Sequence, residues 1–168
     1  FTNRATIHIG STSAVGSIGL VNRDIFNNNA GGVINANNST LYGIEHVTGT
    51  FTNVAAINIG SLSAIGTYGL RSSAAFNNNT GGVIKIDRCS SFGLRNNAGT
   101  FTNAATLTIG SVADIGTTGI SNAATINNNA GGIINIDRPT VRGIINATGA
   151  SMTNVATINI NNTSANTM

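Results

Sequence analysis

Apolar and polar residues alternate in short segments that recur along the chain. Ile57, Asn58 and Ile59 show the pattern, in which a polar residue separates two apolar ones. Alternation with a period of two residues predicts a β-strand that buries one face and exposes the other. Three such segments occur in every unit of about 25 residues, with clusters of Asn, Gly and Ser between them. The pattern therefore predicts three short strands and three corners in each unit.

Pairs of these units form a longer repeat of about 50 residues. The segments FTNRATIHIG, FTNVAAINIG and FTNAATLTIG begin at Phe1, Phe51 and Phe101 and align without a gap, and a further copy begins at Met152. A single short unit is too small to bury a core alone, so neighbouring units must pack against one another. We predict a single domain, 1–168, with repeat units 1–50, 51–100 and 101–150 and a partial unit 151–168.

Stacking of successive units in parallel places like residues on like residues and forms sheets that run the length of the domain. The predicted fold is all-β, a β-solenoid or parallel β-helix, with about 25 residues and three strands per rung and about seven rungs. The crossover preference of parallel strands predicts a right-handed solenoid. A leucine-rich repeat is disfavoured, because the chain lacks the Leu-x-x-Leu-x-Leu pattern and a segment for a convex-side helix.

Apolar residues that recur in columns at this period form the predicted core. One column is mostly phenylalanine, a second consists of paired positions in the alternating segments, and a third follows a glycine in each unit. The predicted core residues are Phe1, Phe26, Phe51, Phe76, Phe101, Ile126, Ile57, Ile59, Ile84, Ile86, Leu20, Leu70 and Leu94. Odd-numbered rungs have a longer corner between the second and third columns, and we expect its apolar residue to fold back under the sheet. These corner residues are Val15, Ile65 and Ile115.

Asparagine forms another column, two residues after the phenylalanine column. Stacked amides can hydrogen-bond to one another along the axis, so we predict an asparagine ladder. A strip of exposed amides that binds sugar hydroxyls is the alternative, although no aromatic residue lies beside this column in the sequence to stack on a sugar ring. The column contains Asn3, Asn28, Asn53, Asn78, Asn103, Asn128 and Asn154.

Composition argues against several classes of function. The 168 residues include 21 Gly, 27 Asn and one Cys, but only 8 Lys and Arg and 5 Asp and Glu. The basic residues are scattered and do not alternate with aromatic ones, so we predict no nucleic-acid binding. No apolar run approaches the roughly 20 residues that cross a bilayer as a helix, so we also predict no transmembrane segment.

Acidic residues suggest no catalytic pair. The sequence Asp-Arg occurs at 87–88 and again at 137–138, at equivalent positions of two units, and the first unit has no such pair. Catalysis of sugar cleavage by acids requires carboxylates placed close together, and the other three acids are far apart in register. We therefore predict that Asp87 and Asp137 cap a turn or form a corner salt bridge.

The two histidines and the cysteine also lack the spacing of a metal site or a catalytic site. His8 and His46 fall in different rungs and columns, and we predict that both lie at the surface. Neither a metal centre nor a catalytic dyad is expected from them. Cys89 stands where the other units have Ser39 and Pro139 nearby, which indicates a corner residue rather than a reactive thiol. We predict no enzymatic activity, no cofactor and no metal site.

The motifs FTNxATINIG, GxxGL and FNNNxGGVIxIDR resemble the repeats of large secreted bacterial surface proteins, especially those of Bacteroidota. They resemble more loosely the β-helical shafts of adhesins and autotransporters. The resemblance covers the whole chain. It implies export, an extracellular or cell-surface location, and a role in adhesion or filament architecture, and it implies no catalytic residues.

Two hypotheses of function follow from the predicted solenoid. The sequence shows no cap at either end, which indicates either that the segment belongs to a longer repeat protein or that copies stack end to end. In the first hypothesis, the chain is a structural subunit that associates with itself head to tail through uncapped terminal rungs and forms a fibre. In the second, it is an adhesin-type module that binds surface glycans or ice with its outward Thr and Asn residues. The threonines of this face, Thr2, Thr52 and Thr102, alternate with asparagines, so a regular threonine plane is absent.

Overall fold

The computed structural model describes residues 1–161, and in this range the chain consists of strands, turns and loops. The last residues of the predicted domain, 162–168, lie outside the described residues. The strands are short because a turn with Asn, Gly or Ser interrupts the extended chain at each corner. Six complete rungs and two strands of a seventh result within the described range.

The rungs are numbered from the amino terminus. Rungs 1 to 3 contain β1 (Thr2–Asn3), β2 (Thr6–Ile9) and β3 (Ile18–Asn22); β4 (Phe26–Asn28), β5 (Val33–Ala36) and β6 (Tyr42–His46); β7 (Thr50–Asn53), β8 (Ala56–Ile59) and β9 (Tyr68–Ser72). Rungs 4 to 6 contain β10 (Ala75–Asn78), β11 (Val83–Ile86) and β12 (Phe92–Asn96); β13 (Thr100–Asn103), β14 (Thr106–Ile109) and β15 (Thr118–Asn122); β16 (Thr125–Asn128), β17 (Ile133–Ile136) and β18 (Arg142–Asn146). Rung 7 contains β19 (Ser151–Asn154) and β20 (Thr157–Ile160).

Each strand pairs in parallel with the strand at the same position in the rungs before and after it. The first strands of the rungs form sheet A, the second strands form sheet B, and the third strands form sheet C. The register keeps the sequence columns together, so that Phe76 lies between Phe51 and Phe101. The predicted all-β solenoid, with three strands in each repeating rung, is therefore confirmed.

The interior is a continuous apolar stack along the axis. Phe51, Phe76 and Phe101 are fully buried, and their ring centroids lie 4.6 and 5.2 Å apart. The structure also buries Phe26, Ile57, Ile59, Leu70, Ile84, Ile86, Leu94 and Ile126. The corner residues Ile65 and Ile115 are buried, as expected, and each pairs with the short corner of the next rung.

Rung 1 departs from the predicted core. Phe1 is 70% exposed, although its ring centroid lies 4.9 Å from that of Phe26, and Leu20 is only partly buried. Val15, the first of the three corner residues, is also exposed. Their equivalents in the middle rungs are covered from both sides, whereas in the described structure rung 1 is covered from one side only. Position in a column thus predicts burial only where the column continues.

A column of glycines makes room for the core at the start of the sheet C strands. A Cβ atom at Gly69 would lie 2.2 Å from Cγ2 of Ile86 and 2.8 Å from Sγ of Cys89. Gly43, Gly93 and Gly119 face isoleucine side chains in the same way. This contact explains why the residues of the third apolar column follow a glycine.

Candidate assembly surfaces and polar ladders

The asparagine column of sheet A forms a buried ladder that runs along the axis. Asn28, Asn53, Asn78, Asn103 and Asn128 have no exposed surface. The Nδ2 atom of each ladder asparagine donates to Oδ1 of the next, from Asn3 to Asn154, over distances of 2.7 to 2.8 Å. Because the amides of the inner rungs are buried and paired, they cannot serve as an exposed strip for sugar hydroxyls.

The ladder has a direction, which backbone groups fix. Nδ2 of Asn78 donates to Oδ1 of Asn103 and also to the carbonyl of Thr106 in the next rung, 3.1 Å away. Oδ1 of Asn3 accepts from the backbone N–H of Ala5 in its own rung. A flipped amide would turn its oxygen towards a carbonyl and its nitrogen towards an N–H, so all amides share one orientation. Every amide therefore donates towards the carboxyl-terminal end.

A second polar ladder, which the sequence columns did not predict, lies inside sheet C. Its members are the last residues of the sheet C strands, which pair in register as Asn22, His46, Ser72, Asn96, Asn122 and Asn146. Nδ2 of Asn96 donates to Asn122, and Nδ2 of Asn122 donates to Asn146. The signal was present, because each member follows the third apolar column by two positions. The sequence separation between successive members alternates between 24 and 26, as it does in the third apolar column, and His46 and Ser72 interrupt the run of asparagines.

The prediction that His46 lies at the surface is wrong. His46 is fully buried in the second ladder, where Nδ1 lies 3.0 Å from Nδ2 of Asn22 and Nε2 lies 3.0 Å from the carbonyl of Ala75. An amide Nδ2 can only donate and a carbonyl can only accept, so the imidazole is neutral and carries its proton on Nε2. Burial lowers the pKa of His46, and the backbone contact with Ala75 opposes this effect in part.

Acidification should therefore destabilise the fold through His46. Above its ordinary pKa of 6.5 the imidazole is neutral in both states. As the pH falls below 6.5, the unfolded chain binds a proton that the folded chain excludes until the pH passes its lowered pKa, so the free energy of unfolding decreases across this window. We expect His46→Asn, which places here the residue found at Asn22 and Asn96, to reduce this decrease in urea unfolding measured from about pH 7.5 to about pH 5.

His8→Asn is the matched control for this prediction. His8 is exposed on sheet B, in a column that contains Asn35 and Asn58. The His8 variant removes an exposed imidazole and should still show the decrease in the free energy of unfolding that His46 produces. Equal pH profiles for the His46 variant and the parent would show that His46 does not carry the effect.

Asp87, the acid of the first Asp-Arg pair, caps a turn, which is one of the two roles predicted for it. Asp87 is buried, and its Oδ1 accepts from the backbone N–H groups of Val112, at 2.9 Å, and Ala113, at 3.4 Å, in the next rung. Asn37 accepts from the N–H of Leu62 in the same way. Arg88 donates instead to backbone carbonyls of the preceding long corner. The carboxylate is thus engaged in holding one rung to the next.

Cys89 lies within the core cluster beside this cap. The thiol is almost fully buried, and burial together with the nearby Asp87 carboxylate raises its pKa. Thiols react mainly as thiolates, so both effects disfavour reactivity. The cysteine accordingly acts as a small core residue at the short corner.

An aromatic strip on the outer face of sheet C was not predicted. Tyr42, Tyr68 and Phe92 are partly exposed and neighbour one another in register, with ring centroids 5.3 and 5.2 Å apart. Arg71 lies over the Tyr42 ring and forms an ion pair with Glu45. The residues precede the glycine column, which is the sequence signal for them. Because neighbouring rings cover part of one another, we interpret the strip as cross-strand packing that stabilises the sheet.

In the part of the chain that the structure describes, the first and last rungs have outer strand edges without a partner strand and apolar side chains beside them. Sheets A and B begin with β1 and β2 and end with β19 and β20 in the described residues. Phe1 is exposed at one end, and Ile160 is 52% exposed at the other, whereas Ile136 in the rung before it is fully buried. Unpaired edges of this kind readily pair with further strands. The outer faces of the first and last described rungs are therefore the surfaces that a further rung would cover.

Other features of the described residues offer less chemistry. They contain no group of three or more His, Cys, Asp and Glu side chains placed to hold a metal ion. Over the same range the chain has no apolar helix of membrane-spanning length. An open groove along the corners of rungs 1 to 4, lined by Ser39, Ala64 and Ile65 among others, has no charged side chain in its lining.

Comparisons with known proteins identify no relative: no family model, no curated protein and no solved structure matches the chain.

Proposed function

We propose that the protein is a structural subunit of an extracellular or cell-surface β-solenoid fibre, and that copies associate end to end through their terminal rungs. The observation that carries this proposal is the lower burial of the core columns in the first and last described rungs, where Phe1 is 70% exposed, Ile160 is 52% exposed, and Ile7 and Met152 are only partly buried. The same columns are buried wherever a rung lies on each side. A further rung at either end would bury these side chains and pair the free strand edges.

The interior contacts between rungs give further support for a structural role. The buried asparagine ladder, the apolar stack and the corner caps all join one rung to the next. Each of these contacts repeats in every rung or in every second rung, so they favour lengthening of the solenoid. The resemblance of the repeat motifs to secreted bacterial surface proteins supports the extracellular location.

Self-association should depend on concentration and on the terminal rung. Sedimentation velocity of the purified chain should show species that grow with concentration. Phe1→Lys places a charge at the exposed end of the phenylalanine stack, and a charge buried in a junction without a partner is costly. We expect this variant to require at least about tenfold more protein for the same degree of association, equivalent to about 1.4 kcal/mol.

Leu62→Lys provides the matched control. Leu62 is 68% exposed, almost the same fraction as Phe1, but it lies in a long corner of rung 3 and not at an end. This variant should associate like the parent chain. A parent chain that remains a single short rod at every concentration would refute the proposal, and saturable binding of a glycan by such rods would favour the adhesin-type module.

A further inference from the structure

We propose that the outer face of sheet C binds an acidic polysaccharide, and that Arg95 and Arg142 contact its carboxylate groups. The site goes beyond the proposed function, because it lies on the side of the solenoid and does not depend on how copies associate. It also differs from the outward Thr and Asn residues considered above for glycan binding, which belong to sheet A.

Two arginines lie side by side on neighbouring strands of this face. Arg71 in β9 and Arg95 in β12 pair in register, and like charges placed directly opposite one another destabilise a sheet. Their guanidinium groups bond in opposite directions, Arg71 to the carboxylate of Glu45 in rung 2 and Arg95 to the hydroxyl of Ser121 in rung 5. Glu45 therefore neutralises Arg71, whereas Arg95 has no acidic partner among the described residues. Packing of the aromatic strip does not explain this second arginine.

Rung 5 has small residues on this face, and longer side chains lie on the rungs to either side. Thr118 and Ser121 are almost fully buried, although both belong to the outer face of β15. Thr118 is flanked in register by Phe92 and Arg142. The bond from Arg95 to Ser121 places its guanidinium over rung 5, towards rung 6, where Arg142 is exposed and forms no ion pair with a described residue. Two guanidinium groups without an acid thus lie on the two sides of one rung.

These donors suit a carboxylate. A guanidinium group is planar, and its N–H groups can bond to both oxygens of a carboxylate at once. The stacked rings of Tyr68 and Phe92 cover part of each other's faces, so their exposed parts are mainly ring edges, where the partial charge is positive. Within the described structure, rungs 4 to 6 have no acid on this face that would repel an anion.

The shape of the strip favours a polysaccharide over an acidic peptide. One column contains Tyr42, Tyr68, Phe92, Thr118 and Arg142, and it spans rungs 2 to 6 over about 20 Å at the spacing of paired strands. A peptide needs partners for its backbone N–H and C=O groups, and the inner strands of sheet C are already paired on both sides. Sugar hydroxyls can remain solvated, and the phenol groups of the two tyrosines can bond to them. A linear polysaccharide with a carboxylate on each sugar therefore fits the strip better.

The length of the ligand should matter for its affinity. An exposed ion pair contributes little by itself, so a single uronic acid should bind weakly. A polymer can contact Arg95 and Arg142 at the same time, and the second contact then forms within the bound complex. Binding should weaken as salt is added, because both arginines are partly or fully exposed.

The double variant Arg95→Gln, Arg142→Gln tests the site. It removes both guanidinium groups and leaves uncharged amides in their place. We expect the dissociation constant for polygalacturonate, measured by isothermal titration calorimetry at low ionic strength and neutral pH, to rise at least about tenfold. Arg142→Gln alone changes only an exposed side chain and should give part of the same loss with an unchanged melting temperature.

The double variant Arg4→Gln, Lys85→Gln is the matched control. It removes two positive charges from exposed positions outside sheet C, so it lowers the net charge by the same amount. This variant should bind polygalacturonate like the parent chain. An equal loss in the two double variants would show that net charge alone attracts the polymer and would overturn the proposal, as would a parent chain that does not bind.

Poly-glutamate and galacturonic acid identify the source of the carboxylate. Both should bind more weakly than polygalacturonate at the same concentration of carboxylate groups. Poly-glutamate bound as tightly as polygalacturonate would overturn the assignment of the ligand to polysaccharides, and equal binding of the single sugar would overturn the role of polymer length. End-to-end association is measured separately by sedimentation, so failure of this site and failure of the proposed function are distinguishable.

Discussion

Phe76→Ala should destabilise the solenoid by about 3–5 kcal/mol, the usual cost of truncating a buried phenylalanine. The ring is fully buried, and its centroid lies 4.6 Å from that of Phe51 and 5.2 Å from that of Phe101. The substitution removes apolar contacts and both ring stacks, and it leaves a cavity that rungs held by backbone ladders on three sheets cannot easily close. Urea unfolding followed by circular dichroism would measure the loss.

Phe92→Ala is the appropriate comparison. Phe92 is also aromatic and also stacks on a neighbour, Tyr68, but it lies partly exposed on the outer face of sheet C. We expect a cost of about 1 kcal/mol for a cross-strand aromatic pair of this kind. Similar losses for the two variants would contradict the assignment of the phenylalanine column to the core.

Asn78→Asp should be equally severe at neutral pH, although it changes the shape of the side chain very little. Asn78 is fully buried and donates to Oδ1 of Asn103 at 2.8 Å and to the carbonyl of Thr106 at 3.1 Å. An aspartate would present a carboxylate to these two acceptors in a site closed to solvent. Leaving a buried charge uncompensated typically costs about 3–5 kcal/mol.

The loss should be reversed in part by acid. Burial raises the pKa of the introduced carboxyl group in the folded chain above its value in the unfolded chain, so the destabilisation is full above the folded pKa and declines as the pH falls through it. The protonated acid regains one donor for Asn103. Asn97→Asp, at an exposed position, should show neither the loss nor its reversal. An Asn78 variant with the stability of the Asn97 variant at neutral pH would mean that the ladder contributes little.

The fold could be predicted because one physical constraint acts on every rung in the same way. A short unit that buries its core only by stacking must keep each apolar residue at a fixed position. Phe51, Phe76 and Phe101 therefore appear as a column in the sequence itself. The Asn column was predictable for the same reason, since parallel pairing places each amide against its own kind.

Other features were not predictable from a strict period. The corners of odd and even rungs differ in length, so the second ladder shifts by one residue between rungs, and His46 and Ser72 interrupt its asparagines. The hydroxyl of Ser72 donates within its own rung, and Oδ1 of Asn96 has no hydrogen-bond partner among the described residues. A ladder with this irregularity is visible only when the strands are aligned in space.

The ends were predicted only in part. The columns place Phe1 and Leu20 in the core, although Phe1 is 70% exposed and Leu20 is only partly buried. Nothing in the order of the residues sets a direction for the asparagine ladder. The direction depends on which backbone groups hydrogen-bond to each amide. The carbonyl of Thr106, for example, accepts from Nδ2 of Asn78. This contact between a side chain and the backbone of the next rung is a property of the assembled stack.

The central claim of end-to-end stacking is tested most directly by electron microscopy of the purified chain over a range of concentrations, with diffraction from oriented samples. We predict thin unbranched fibres whose axial reflection lies at about 4.8 Å, the spacing between paired strands, because strands continue in register across each junction. Short rods that keep the length of a single chain at all concentrations, with no axial reflection from fibres, would contradict the claim.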